Sequence, residues 1–288
     1  MNRLLSIIAD TVYDSKRKEF LGRDSTRWGK LAIFYFFFHF GLAGFFFTLL
    51  FVFMLLVPQD RPRFHGNASC MQARGKPLAP GLGFRPQMSA VHNIISVDKY
   101  QFDRYVKSLH QYLRVYYWKY DIDRFNQTKK FTISDPGDCT PQNQYGFASG
   151  KPCILVKMNK IIGFEPKPGY MPKDKEAYQN AGCRPNPNAI SIHCTGESAT
   201  DAANIRNITY ISENDHDKNC GSLDTKWFPY QGKIHRQDVY QAPYIWAQFN
   251  DVKPNVLINV ICRIYAENIN YNKLGYRALT QFKLIIKN

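Results

Sequence analysis

The stretch Leu31–Val57, LAIFYFFFHFGLAGFFFTLLFVFMLLV, carries no formally charged side chain over 27 residues. At about 1.5 Å rise per residue it makes a helix roughly 40 Å long against a hydrocarbon core of about 30 Å, so it spans a bilayer with tilt or overhang. A core helix of a soluble domain needs only about 10 to 14 apolar residues. No second stretch of this kind occurs in the 288 residues, and the long segment after Val57 is polar. The sequence therefore predicts one membrane span and one large soluble domain.

The span starts after a polar leader of 30 residues and contains ten Phe. It is too long and too aromatic for a cleaved signal core ending in small residues, so it is expected to stay as a signal anchor. Residues 1–30 hold seven Lys/Arg, whereas the fifteen residues after Val57 hold only Arg61 and Arg63. That asymmetry predicts a cytoplasmic N-terminus. All three N-x-S/T sequons, at Asn67, Asn126 and Asn207, and all seven Cys lie beyond the span, as an exoplasmic, oxidised domain requires. The net charge of +15 is spread without a run of consecutive Lys/Arg, and together with the exoplasmic location this excludes nucleic acid as a partner.

Residues 1–30 are too short to bury a core and are expected to be mostly flexible, with a short helix in LLSIIADTVY at most. After the span, VPQDRPRF and ARGKPLAPGLGFRPQ are rich in Pro and Gly and lack periodicity, which describes an extended stalk. A helix is predicted over Val97–Tyr120 with Ser96 as N-cap, because Phe102, Val106, Leu109, Leu113 and Tyr116 recur at helical spacing. From Cys153 the pattern becomes strands: CILVKMNKIIGF, AISIHC, IRNITYI, PYIWAQF, VLINVICRIYA and RALTQFKLIIK. Short strands with no crossover helices predict an antiparallel sandwich.

Cys194 shares a pleat face with Ile190 and Ile192, and Cys262 with Val256, Ile258, Val260 and Ile264. Both thiols then point to the core, where a disulfide would tie two strands across it. Cys139 and Cys153 flank a short loop and form a second natural pair. Cys183 and Cys220 are paired next, leaving Cys70 in the stalk, although sequence alone does not fix connectivity.

Catalytic chemistry finds no support. Asp121-Ile-Asp123 and Asp215-His-Asp217 have the D-x-D spacing of metal-dependent glycosyltransferases, but one follows a helix and the other sits in the polar loop ISENDHDKNCG. Capping or a solvated turn is the simpler role. His193, Cys194, His216, Cys220 and His235 lack zinc-site spacing, oxidised cysteines are not thiolate ligands, and no P-loop, G-x-S-x-G or G-x-G-x-x-G is present. No cofactor and no metal are expected.

Several stretches in order resemble the β subunit of the Na⁺/K⁺-ATPase and its relatives, the glycosylated partner chain of K⁺-counter-transporting P-type pumps. They are LGRDSTRWGKLAIFY leading into GLAGFF, PGLGFRPQ, YGFASGKPC followed by ILVKMNKIIGFEPKP, HCTGE, FPYQGK, and CRIYAENI with QFKLIIK at the end. The resemblance covers almost the whole chain. It implies a single span followed by an immunoglobulin-like all-β exoplasmic domain with one packed helix; the patterns above divide the chain as 1–30 cytoplasmic, 31–57 span, 58–95 stalk and 96–288 exoplasmic. It implies a non-catalytic plasma-membrane subunit that binds the catalytic α subunit of a P-type cation pump, supports its folding, delivery and K⁺ transport, sits in membrane lipid and allows for a small single-span regulatory subunit.

Of the family's three disulfides, the second and third map onto Cys139 with Cys153 and Cys194 with Cys262. The first has no counterpart, and Cys183 with Cys220 looks like a lineage-specific replacement. The family's aromatic contact stretch appears as Trp227, Phe228, Pro229, Tyr230, Gln231, Gly232 and Lys233, and two span tyrosines four apart become Tyr35 and His39. At 100° per residue Tyr35 and His39 share one side of the span, while Gly41, Gly44 and Thr48 cluster on the opposite side. Small residues admit a neighbouring backbone and an intramembrane His faces protein, so both faces are α-subunit contact candidates. The alternative is a type II adhesion or lectin-like glycoprotein, which needs no partner in the membrane.

Overall fold

The computed structural model describes residues 13–14, 18–58, 62, 65–66, 81–88, 93–98, 100–117, 131–213, 215–232, 240–273 and 278–287. Two compact units divide the chain, one up to Gln59 and one from Asp60.

In the first unit, β1 (Tyr13–Asp14) pairs antiparallel with β2 (Glu19–Phe20) in a small hairpin, where the sequence predicts flexible chain. Phe20 and Arg23 exchange backbone hydrogen bonds of 2.9 and 3.1 Å around a turn at Leu21-Gly22, both with positive φ. The Trp28 indole donates to the Phe20 carbonyl at 2.8 Å, which ties this turn to the helix α1 (Ser25–Leu56). Helix α1 spans 32 residues, about 48 Å at the helical rise, and starts six residues before the uncharged stretch. It is the one described helix long and apolar enough to cross a membrane, and none of its residues is buried within the chain.

The second unit is a sandwich of two five-stranded sheets. Its strands are β3 (Leu82–Arg85), β4 (Ile94–Asp98), β5 (Cys153–Met158), β6 (Ala189–Gly196), β7 (Ile205–Ile211), β8 (His216–Asp217), β9 (Gly221–Asp224), β10 (Tyr244–Val252), β11 (Ile258–Tyr265) and β12 (Leu279–Lys287). One sheet has the order β3-β5-β10-β7-β8 and the other β4-β12-β11-β6-β9. All pairings are antiparallel except β12 with β4. The architecture is the sandwich that the strand pattern predicts, with one parallel pairing, and the all-β domain that the family resemblance implies.

Three sequence expectations are corrected. The stretch 58–95, read as stalk, supplies β3 to the first sheet and the first two residues of β4 to the second. The helix predicted from Val97 begins later, as α2 (Asp103–Tyr117), because IISVD is β-branched, alternates, and places Ile95 and Val97 in the core as it pairs with β12. Ser96 is therefore a strand residue, and its N–H donates to the Tyr105 hydroxyl at 2.9 Å. Finally, Cys194 and Cys262 lie directly opposite each other on neighbouring strands of one sheet, so their disulfide ties strands within a sheet instead of across the core. A pleat phase tells which face a thiol takes, but not which sheet it belongs to.

Strand β10 is buried on both faces from Tyr244 to Phe249, which explains why five of those six residues, all but Gln248, are apolar. Ile245, Ala247 and Phe249 meet the second sheet, where Phe249 packs on Phe282 of β12 with ring centroids 6.0 Å apart. Tyr244 and Trp246 face outward, against Tyr116 of α2 at 5.2 Å and against Tyr145 at 5.6 Å. The Cys139–Cys153 disulfide joins the loop carrying Tyr145 to β5. Tyr210 of β7 crosses between the sheets: its hydroxyl accepts from the Cys194 N–H at 2.8 Å and donates to the Cys194 carbonyl at 3.1 Å. On the outer face of the second sheet, α3 (Lys175–Asn180), Tyr178, Tyr265 and the Cys183–Cys220 disulfide form a satellite cluster beside the Arg263–Asp174 ion pair of 2.6 Å.

The helix α4 (Ala199–Ala203) is capped by Ser198, and its Asp201 reaches β11. The Asp201 carboxylate accepts from the Ser198 hydroxyl at 2.7 Å and from the Asn259 N–H at 3.1 Å. Burial alone raises its pKa, but these bonds outweigh it and hold the carboxyl below the usual range. Asp201→Ala is expected to cost about 2 kcal/mol in denaturant unfolding. Because the folded-state pKa is depressed, that contribution is present above the ordinary carboxylate range and is lost as pH falls through the depressed value. The alanine variant should accordingly show a flatter loss of stability in acid than the parent chain.

Candidate functional site

The aromatic stretch is held by a polar frame. After β9, Asp224 caps the turn Thr225–Trp227 by accepting from the Lys226 N–H at 2.9 Å. The Lys226 ammonium sits 3.0 Å from Glu213 and 3.2 Å from Asp224. Burial pulls this ammonium's pKa down, yet the two carboxylates more than offset it and hold it above its ordinary value. Trp227 is buried, its indole donates to Glu213 at 2.8 Å, and its ring meets Phe131 edge-on at 5.3 Å. Phe228 is half-buried against the core.

Beyond Pro229 the chain turns to the loop after β5. Tyr230 forms a parallel bridge with Ile162, and the Gly163 N–H donates to the Tyr230 carbonyl at 2.7 Å. Ile162 in turn accepts from the Gly66 N–H at 2.7 Å, nine residues along the chain from Val57. The Tyr230 and Tyr240 rings lie 4.9 Å apart, and the Lys160 ammonium stands 5.2 Å from each ring centroid while donating to the Tyr240 carbonyl at 3.2 Å. The Tyr240 hydroxyl donates to the Trp227 carbonyl at 2.9 Å, and burial raises its pKa. Gly232 adopts φ +69°, a left-handed conformation that favours glycine. The stretch is thus a fixed patch of half-buried tyrosines. Lys233 lies outside the described residues.

In α1, His39 Nδ1 lies 2.9 Å from the Tyr35 carbonyl, and the two rings meet edge-on at 5.9 Å. The Thr48 hydroxyl donates to the Gly44 carbonyl at 2.7 Å. Nothing lies within 4 Å of a Cβ placed at Gly41 or Gly44, so that side of the helix is open along both glycines.

The remaining residues singled out in the sequence are scattered. Asn207 is exposed on β7, and the hydroxyl of its sequon partner Thr209 accepts from Asn250 at 2.7 Å. Asn67, Asn126, Cys70, Asp121, Asp123 and His235 lie outside the described residues. Asp215 and Asp217 have separate tasks: Asp215 is exposed in a turn, whereas Asp217 is buried and pairs with Arg184 at 3.5 Å. His193 donates from Nδ1 to the Asn219 carbonyl at 2.7 Å, and burial lowers its pKa against the opposing effect of that bond. Among the described residues no group of three or more His, Cys, Asp or Glu is placed to hold a metal ion.

Lys160, Glu213, Tyr240 and the Ile162–Gly163 backbone were not singled out in the sequence. They lie 17 to 70 residues from Tyr230 wherever sheet topology brings them in, except Tyr240, which is ten residues on. No local pattern announces such contacts.

Residues 2–283 match the family model described as sodium/potassium ATPase beta chain. The chain is 27% identical to sodium/potassium-transporting ATPase subunit beta-233 of Anguilla anguilla over 309 aligned residues, covering 96% of this chain and 95% of the relative. It is 28% identical to subunit beta-1 of Tetronarce californica, covering 96% of this chain and 94% of the relative. It is 27% identical to subunit beta-2 of Homo sapiens, covering 90% and 86%. With a sandwich, an apolar N-terminal helix and a family match over nearly its full length, the chain belongs to the sodium/potassium ATPase beta chain family.

Proposed function

We propose that this chain is the non-catalytic β subunit of a Na⁺/K⁺-ATPase that binds a catalytic α subunit and supports its folding, plasma-membrane delivery and K⁺ transport. The family match over residues 2–283 carries the reading. The chain spans the plasma membrane once as a type II protein with its N-terminus in the cytoplasm, a reading supported by the basic leader and by three disulfides, all beyond the span. Two surfaces meet the α subunit. One is α1, with Tyr35 and His39 on one side and Gly41 and Gly44 on the other. The other is the patch of Trp227, Phe228, Pro229, Tyr230 and Gly232 continuing into Lys233. Lipid surrounds the rest of the span, and a small single-span regulatory subunit is a further partner.

Gentle solubilisation of the full chain should bring down a large multi-spanning P-type pump chain. Replacing residues 31–57 with a plain Leu helix should lower its recovery about tenfold, as loss of close packing and a hydrogen-bonding face removes ~1.4 kcal/mol or more. Absence of any such partner would replace this reading with that of a type II adhesion glycoprotein.

A further inference from the structure

Two described lysines stand in the aromatic patch and differ in one respect. Lys226 is matched by two carboxylates within the chain, at 3.0 and 3.2 Å. Lys160 is exposed, and among the described residues no carboxylate pairs with it. Its ammonium rests between the faces of Tyr230 and Tyr240, each centroid 5.2 Å away, and one of its three donors is accepted by the Tyr240 carbonyl. Partial burial and then the neighbouring cation Lys157 both lower its pKa. The fold therefore holds a cation at a fixed point, in the middle of an aromatic surface, without a counter-charge among the described residues.

A partner that covers Tyr230 and Tyr240 also covers this ammonium. Burying an unpaired cation is strongly unfavourable, so the covering surface must bring an acceptor. Aromatic rings around a pre-placed charge are also the setting in which one contact dominates an interface, because the side chain loses little freedom on binding. We infer that Lys160 is the docking point on this patch for an oxygen acceptor of the catalytic subunit, an acidic side chain on one of its exoplasmic loops. This inference rests on the pump-subunit reading above.

The full chain is co-expressed with the pump's catalytic subunit, solubilised gently, and the co-purified complex is quantified for the parent and for Lys160→Met, Lys160→Arg and Lys160→Glu. Lys160→Met should lower recovery about tenfold, Lys160→Glu should lower it further, and Lys160→Arg should keep most of it. Raising salt should weaken the parent complex more steeply than the Lys160→Met complex. Formation of all three disulfides is checked in every variant as a folding control. If Lys160→Met does not fold, Lys160→Gln is read in its place, and failure of both to fold assigns Lys160 to the fold and overturns the inference. It is also overturned if Lys160→Met assembles like the parent, if Lys160→Arg fails as badly as Lys160→Met, or if exchanging chloride for gluconate changes recovery as much as the substitution does. If the parent chain itself retains no catalytic subunit, the pump-subunit reading falls. If the parent retains it and all variants match, only the role of Lys160 falls.

Discussion

Replacing Cys194 and Cys262 together with alanine is expected to lower the unfolding free energy of the full chain by about 4 kcal/mol, the chain-entropy value for a loop of this length. The bond joins residues 68 apart in sequence, whereas Cys139 and Cys153 are 14 apart, for which the same model gives about 3 kcal/mol. The native state should change little. Strands β6 and β11 remain paired from Ser191 with Tyr265 to Gly196 with Val260, and the Tyr210 hydroxyl still holds the backbone of residue 194. The loss therefore lies in the unfolded chain, which gains freedom. Denaturant unfolding of the detergent-solubilised chain followed by tryptophan fluorescence checks it. A loss below about 1 kcal/mol would show that the unfolded chain keeps these strands near each other without the bond.

Gly196→Ala is expected to be comparably damaging for an opposite reason, since it acts on the folded state. A Cβ at this position would lie 2.0 Å from the Ala202 nitrogen, 2.3 Å from the Asp201 carbonyl carbon and 2.6 Å from the Ala202 Cα. All three are backbone atoms of α4, and α4 cannot shift freely because Asp201 is bonded to Ser198 and Asn259. Overpacking of this kind costs about 3 kcal/mol, the upper part of the usual range. Gly221→Ala provides the contrast: its nearest contacts are side-chain atoms of Ile245, with Cδ1 at 2.3 Å, Cγ2 at 3.1 Å and Cβ at 3.2 Å, and no backbone atom is among them. The thermal midpoint of Gly196→Ala should fall well below that of Gly221→Ala, and equal midpoints would refute the argument.

How much of this was legible in the sequence depends on how far apart the deciding residues are. The span, the six principal strands and the core-facing pleat phase of Cys194 and Cys262 follow from composition and period, which are local properties. The start of α2 is not a local property, because Val97 and Ser96 fit a helical extension equally well until β12, almost two hundred residues later, claims them as a strand. β3 was hidden for a similar reason: four residues flanked by Pro and Gly show too short an alternation to be seen without β5 beside them. In the aromatic patch, resemblance pointed to Tyr230 and its neighbours. The residues that fix it in place, Lys160 and Glu213, are ordinary charged side chains until the fold sets them against those rings.

The order of strands in the second sheet also bears on biosynthesis. β12 is the last described strand in sequence, yet it lies between β4, the earliest strand of that sheet, and β11. In the type II orientation proposed above, the chain emerges from a translocation pore with β4 unpaired, and its pairing must wait until Leu279–Lys287 has been delivered. So distant a closure is slow, and until it occurs Ile95 and Val97 remain without the neighbour that helps bury them. An unfinished molecule therefore differs from a finished one in this one sheet, and a chain stopped before Leu279 would leave β4 without its β12 partner.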